Sequence, residues 1–149
     1  MTKAGRAPAP GGRVEAVLFD LDGVVTRTAR VHARAWKRTF DEFLRDRAAR
    51  EGGPFLPFDE TADYRRHVDG KPRYDGVRAF LRARAITLPE GDPDDPVDRV
   101  SVCGLGNRKD ALFLELMRRD GVEVYDDAVR RIDEWRAAGL RTAVVSSSR

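Results

Sequence analysis

Asp20 and Asp22 stand one residue apart at the end of an apolar run, and of all residues in this 149-residue chain they are the best suited to do chemistry. Val14, Ala16, Val17, Leu18 and Phe19 lead into them; Gly23, Val24, Val25 and Thr26 follow. A carboxylate at the end of a buried strand must be paired, hydrated or metal-bound to stay charged. In open α/β sheets, the carboxyl ends of the strands are where ligands bind. The pair therefore suits a Mg²⁺-assisted phosphoryl-transfer site, with Asp20 as nucleophile and Asp22 as general acid and base. Mg²⁺ accepts carboxylate oxygen and keeps waters and substrate phosphate in its shell. A strand closed by an ordinary Asp-Gly turn would use the same letters.

Two acids hold a fixed geometry only if the surrounding elements position them. The pattern predicts a strand ending at Phe19 and a helix over 28–50, with Thr28 able to cap it. His32, Trp36, Phe40, Phe43 and Leu44 recur at three- and four-residue spacing and form one apolar stripe. Gly52, Gly53 and Pro54 end that helix. Residues 55–61 read as irregular. Further helices are predicted over 61–68 and 74–85, the latter with Val77, Phe80 and Leu81 inward, and a polar loop lies between them. Residues 89–98 (PEGDPDDPVD) read as a solvated connector and 104–107 as a turn. A helix over 108–119 turns Leu112, Leu116 and either Phe113 or Met117 inward. Asp126 or Asp127 caps a last helix with Val129, Ile132 and Trp135 on one face and Gly139 at its C′ position. A second buried strand, 140–145, runs into Ser146.

This order gives two strands and a helix framing a helical block that begins beside the two acids, well placed to act as a lid. The expected division is a disordered leader over 1–13, a partial core from 14–27 and 120–149, and a helical cap over 28–119.

Composition narrows the function classes. The chain is 41% hydrophobic and 36% charged, with net charge +3. Its pI of about 9.3 comes from arginine, because Lys stands only at positions 3, 37, 71 and 109 among 28 basic residues. The arginines are scattered among 25 acids, unlike the basic stripe of a nucleic-acid surface. Cys103 is the single cysteine, so no internal disulfide can form, and a reducing, cytoplasmic setting fits. No apolar run reaches the roughly 20 residues of a membrane span.

Residues 17–26, VLFDLDGVVT, resemble the first motif of the haloacid dehalogenase-like superfamily: a hydrophobic strand followed by Asp-x-Asp-Gly-x-x-Thr. The resemblance implies an α/β fold. Its Rossmannoid core is represented here by its first two strands, with a helical cap inserted after the first. It also implies that Ser146, at the end of the second strand, binds the transferring phosphoryl group. Residues 20–40, DLDGVVTRTARVHARAWKRTF, are similar to the β-phosphoglucomutase-like family. That likeness implies that Thr28 is the hinge threonine and that His32 helps hold the acid/base Asp22. Trp36 and Lys37 match the family's cap-helix pair. Arg73 looks like the cap arginine that grips the non-transferring phosphate, and Lys109 resembles a second cap cation near the substrate. Ser148 and Arg149 match a Ser-Lys pair after the second strand, with Arg replacing Lys; the two cations do not bind phosphate with the same geometry. Arg27 stands where the family has Asp, and Tyr125-Asp126-Asp127 replaces Tyr-Pro-Gly.

The implied reaction is Mg²⁺-dependent phosphoryl transfer through an aspartyl phosphate on Asp20, with Asp20 and Asp22 holding the metal. The implied substrate is a small phosphorylated sugar, β-glucose 1-phosphate becoming glucose 6-phosphate. A phosphatase of a small phosphorylated metabolite and an inactive product are the alternatives. The family's third motif, a lysine, and its fourth, one or two acids, find no match here, so the chain reads as the amino-terminal portion of a longer enzyme.

Overall fold

The structure, a computed structural model, describes residues 14–146. The expected leader over 1–13, and the candidate phosphate residues Ser148 and Arg149, lie outside the described residues.

Strands β1 (Ala16–Asp20) and β2 (Arg141–Val145) pair in parallel, Ala16 opposite Arg141 and Asp20 opposite Val145. Both start one or two residues later than the apolar pattern suggests. Phe19 packs on Trp135 of helix α4 (Asp126–Ala137), ring centres 5.5 Å apart. Elsewhere the sheet is open, with Leu18 69% and Val145 58% exposed.

Helix α1 (Thr28–Glu51) carries the expected stripe, with Trp36, Phe40, Phe43 and Leu44 buried. It ends where Gly52 turns left-handed at φ +73°. Thr28 does not cap it. Arg27 occupies the cap position without a side-chain bond, and the Thr28 hydroxyl is committed to Asp22 instead. The helix expected over 61–68 is a single π-helical turn, Tyr64–Val68, in which Asp69 N–H donates to the Tyr64 carbonyl. Helix α2 (Arg73–Ala83) follows Pro72 and buries Val77, Phe80 and Leu81 as expected.

The turn expected at 104–107 is absent, because helix α3 (Val102–Asp120) runs straight through it. The Ser101 hydroxyl accepts from Gly104 N–H at 2.9 Å and starts the helix early. The two glycines serve close approach rather than a bend. A Cβ on Gly104 would sit 2.1 Å from the Arg99 carbonyl oxygen, and one on Gly106 would sit 2.6 Å from the Tyr74 ring. Helix α4 is capped at Tyr125 rather than at Asp126 or Asp127, which occupy its first turn, where carboxylates complement the helix dipole.

The core lies among the helices, not on the sheet. The rings of Phe40, Phe58 and Phe80 meet with centres 4.0 to 5.3 Å apart. Burying each such side chain contributes roughly 1.5–3 kcal/mol. Ala35, Leu112 and Leu116 form a smaller cluster that joins α1 to α3. Among the described residues, no helix is long and apolar enough to cross a membrane.

Candidate active site

Asp20 ends β1, and the chain immediately folds into a tight turn. Val25 and Thr26 N–H both donate to the Leu21 carbonyl at 3.0 Å, and Gly23 supplies the positive φ, +80°, that the turn requires. The turn is pinned from outside as well, by Tyr125 N–H to Val25 O and Arg27 N–H to Glu123 O. Its result is to present Asp20 and Asp22 on one wall of a cleft of about 440 Å³. The rest of its lining includes His32 and Trp36 from α1, Tyr64 from the π-helical turn, Arg73 and Tyr74 from α2, and Lys109, Asp110 and Phe113 from α3.

Asp22 is the most constrained of the acids. Thr28 Oγ1 donates to its Oδ1 at 2.5 Å, and Ser146 Oγ donates to its Oδ2 at 3.2 Å. His32 Nε2 lies 3.4 Å from the same Oδ1. Thr28 is in turn 2.8 Å from the Thr26 hydroxyl. The carboxylate is thus gripped from the end of β2, from the start of α1 and from one turn further along α1. Asp20 is exposed, and its Oδ1 accepts only the neighbouring Leu21 N–H among the contacts described for it, at 2.9 Å.

His32 and Lys109 form a buried couple. The ammonium Nζ donates to His32 Nδ1 at 2.9 Å while lying over the Trp36 and Phe113 rings, 5.4 and 4.8 Å from their centres. The Phe113 ring stacks on the imidazole at 4.0 Å. Burial lowers the His32 pKa to about 4, with the Lys109 charge acting in the same direction and Asp22 opposing it. Burial likewise lowers Lys109 to about 8. The imidazole is therefore neutral near pH 7. An ammonium can only donate, so Nδ1 accepts and the ring proton sits on Nε2, facing Asp22. That Nε2 is buried and makes no hydrogen bond at its present 3.4 Å; a closer approach to Asp22 would satisfy it.

The remaining expected residues separate into two groups. Arg73 faces the cleft, its Nη1 paired with Asp110 Oδ2 at 2.9 Å and its Nη2 donating to the Tyr74 hydroxyl at 3.2 Å. Trp36 is core and cleft wall at once. Lys37 points elsewhere, to Asp41 and the Phe58 carbonyl, and ties α1 to the 55–61 segment. Tyr64 escaped the sequence reading; its phenol, raised to about 12 by burial and by the charges of Asp69 and Asp22, lines the cleft. Tyr74 also escaped it. A tyrosine next to an arginine carries no local signature, and only the glycine at 106 hinted at a ring seated on α3.

Comparisons with known proteins agree with this arrangement. The haloacid dehalogenase-like hydrolase profile matches residues 14–149. The chain is 54% identical over 136 residues to a β-phosphoglucomutase of Mycobacterium bovis, covering 91% of this chain and 52% of that protein. Among solved structures it resembles a CbbY variant from Rhodobacter sphaeroides in complex with xylulose-(1,5)bisphosphate, at TM-score 0.59 and 23% identity over 92% of this chain and 52% of that one. It also resembles an archaeal β-phosphoglucomutase from Pyrococcus, at TM-score 0.58 and 23% identity over 90% and 53%. The chain spans about half the length of the relatives it matches. With the profile matched from residue 14 to 149, over the strand ending on Asp20, the helical block after it and the returning parallel strand, this chain belongs to the haloacid dehalogenase-like hydrolase family.

Proposed function

We propose that this chain carries the nucleophile, the acid/base and part of the sugar-phosphate grip of a phosphomutase of the β-phosphoglucomutase type. The observation that carries the reading is Asp22, held on both carboxylate oxygens by hydroxyls and flanked by a neutral imidazole, with the exposed Asp20 beside it. A nucleophile must be accessible and an acid/base must be oriented. Asp20 and Asp22 satisfy one requirement each. The 54% identity to a β-phosphoglucomutase supports the choice of a sugar phosphate as substrate, and so does the bisphosphate sugar bound by a structural relative.

In this reading Asp20 attacks phosphorus in line and becomes phosphorylated. Asp22 delivers a proton to the departing sugar oxygen, then removes one from the incoming hydroxyl. The Thr28 hydroxyl and the His32 Nε2–H keep the Asp22 carboxylate aimed through both steps. Ser146 donates to the transferring phosphoryl oxygens when substrate enters, and Arg73 takes the distal phosphate. The helical block over 28–119 serves as the cap that excludes water.

The donor set suits Mg²⁺, which commonly uses one or two carboxylates and completes its shell with water and phosphate oxygens. Asp20 would offer its carboxylate and Asp22 its backbone carbonyl, and among the described residues no group of three His, Cys, Asp or Glu competes as a metal cage. A cation held there neutralises charge on the phosphoryl oxygens.

The test uses the purified protein. Incubation with β-glucose 1-phosphate, Mg²⁺ and a trace of glucose 1,6-bisphosphate should yield glucose 6-phosphate, and mass spectrometry should find a phosphoryl adduct on Asp20. Release of inorganic phosphate without bisphosphate dependence would mark a phosphatase instead. An adduct on another residue would overturn the assignment of Asp20.

A further inference from the structure

Arg73 is not free to receive an anion. One arm of its guanidinium is paired with Asp110 at 2.9 Å, and the other donates to the Tyr74 hydroxyl, which itself donates to Asn107 Oδ1 at 2.9 Å. Arg73 and Asp110 both line the cleft and are about one-third exposed. Asp110 follows directly on Lys109 in α3, and its charge acts on Arg73 and on Lys109 alike. A single carboxylate thus sits between the two cations of this wall.

We propose that Asp110 is a resident counter-anion for Arg73, which an incoming phosphate monoester must displace. The proposal rests on the reading of Arg73 as the distal-phosphate grip. A partly exposed ion pair is weak, so it yields to a stronger ligand. Phosphate is such a ligand: it brings two charges and can engage both guanidinium arms in parallel. A carboxylate ligand only exchanges one singly charged partner for another and gains little. Tyr74 is the fixed part of the device. Its ring is seated against Gly106 and its hydroxyl is held by Asn107, so Arg73 keeps one anchor while it changes the other.

In a Trp135→Phe background the chain is titrated with inorganic phosphate, glucose 6-phosphate and acetate, following the fluorescence of Trp36, which lines the cleft. Asp110→Asn should tighten both phosphate ligands by about fivefold, the scale of one partly exposed charge pair, and should raise acetate binding by a similar factor, because the same competitor is removed for each. Asp110→Glu keeps the competitor and should leave affinity near the parent value. Arg73→Ala should abolish the response, and Asp110→Asn should add nothing in that background. Asp110→Ala, checked by thermal melting, must reproduce the gain, which separates displacement from a misfolded variant. Weaker or unchanged phosphate binding in both Asp110→Asn and Asp110→Ala, with Arg73→Ala still defective, would overturn the counter-anion role alone. An Arg73→Ala chain that binds phosphate like the parent would overturn the role of Arg73 and this proposal together.

Discussion

Lys109 Nζ lies 2.9 Å from His32 Nδ1, joining residues 77 positions apart in sequence, and this contact fixes which imidazole nitrogen carries the proton. The consequence for stability follows from the His32 pKa, about 4 in the fold against an ordinary 6.5. The folded value lies below the unfolded one, so between them the unfolded chain binds more protons. Stability therefore falls as pH drops from about 6.5 to about 4, by an amount on the order of 3 kcal/mol for the full shift. Thermal melts across this window should be steeper for the parent than for His32→Gln. Parallel profiles would remove His32 from the effect.

Lys109→Met keeps the apolar stem against Trp36 and Phe113 but removes the charge. The Lys109 ammonium helps to hold His32 low, so its loss should move the imidazole titration upward. Proton chemical shifts of the His32 ring report this directly. An unchanged or lower midpoint would mean that burial alone sets the value.

Thr28→Val is nearly isosteric and deletes the hydroxyl that donates to Asp22. A hydrogen bond to a charged, mostly buried acceptor is worth roughly 1.5–3 kcal/mol. The variant should lose about 1–2 kcal/mol in urea unfolding, and Thr28→Ser should recover most of it. A Thr28→Val chain as stable as the parent, with Thr28→Ser destabilised, would assign the effect to the methyl group instead.

Gly106→Ala sets two effects against each other. Alanine improves helix propensity by about 1 kcal/mol. Its Cβ would lie 2.6 Å from the Tyr74 ring, and overpacking of that kind costs about 1–3 kcal/mol. The clash should prevail, lowering the melting temperature and displacing Tyr74. A more stable Gly106→Ala would show that Tyr74 moves aside without cost.

The parts legible in the sequence were those with local causes. A strand leading into Asp20 followed from one apolar run, and the buried face of α1 followed from spacing alone. The start of α3 was missed because Gly104 and Gly106 usually signal turns, whereas here the Arg99 carbonyl and the Tyr74 ring exclude a side chain. Thr28 was read as a helix cap because its residue type and position suit one, but its hydroxyl found a stronger acceptor in Asp22. Phe58 was hidden in a segment without periodicity, yet it is among the most buried rings. The pairing of His32 with Lys109 had no sequence signal, since it depends on the packing of α1 against α3.

Thr28 is both the first residue of α1 and a direct support of Asp22. Helix α1 therefore acts as a lever arm with its pivot bonded to the acid. At about 1.5 Å of rise per residue, Trp36 stands about 12 Å from that pivot. A tilt of about 5° would swing Trp36 by roughly 1 Å, while Thr28 itself scarcely moves. His32 rides the same arm about 6 Å from the pivot and would move by roughly 0.5 Å in that tilt, so the width of the cleft and the imidazole's approach to Asp22 are mechanically coupled.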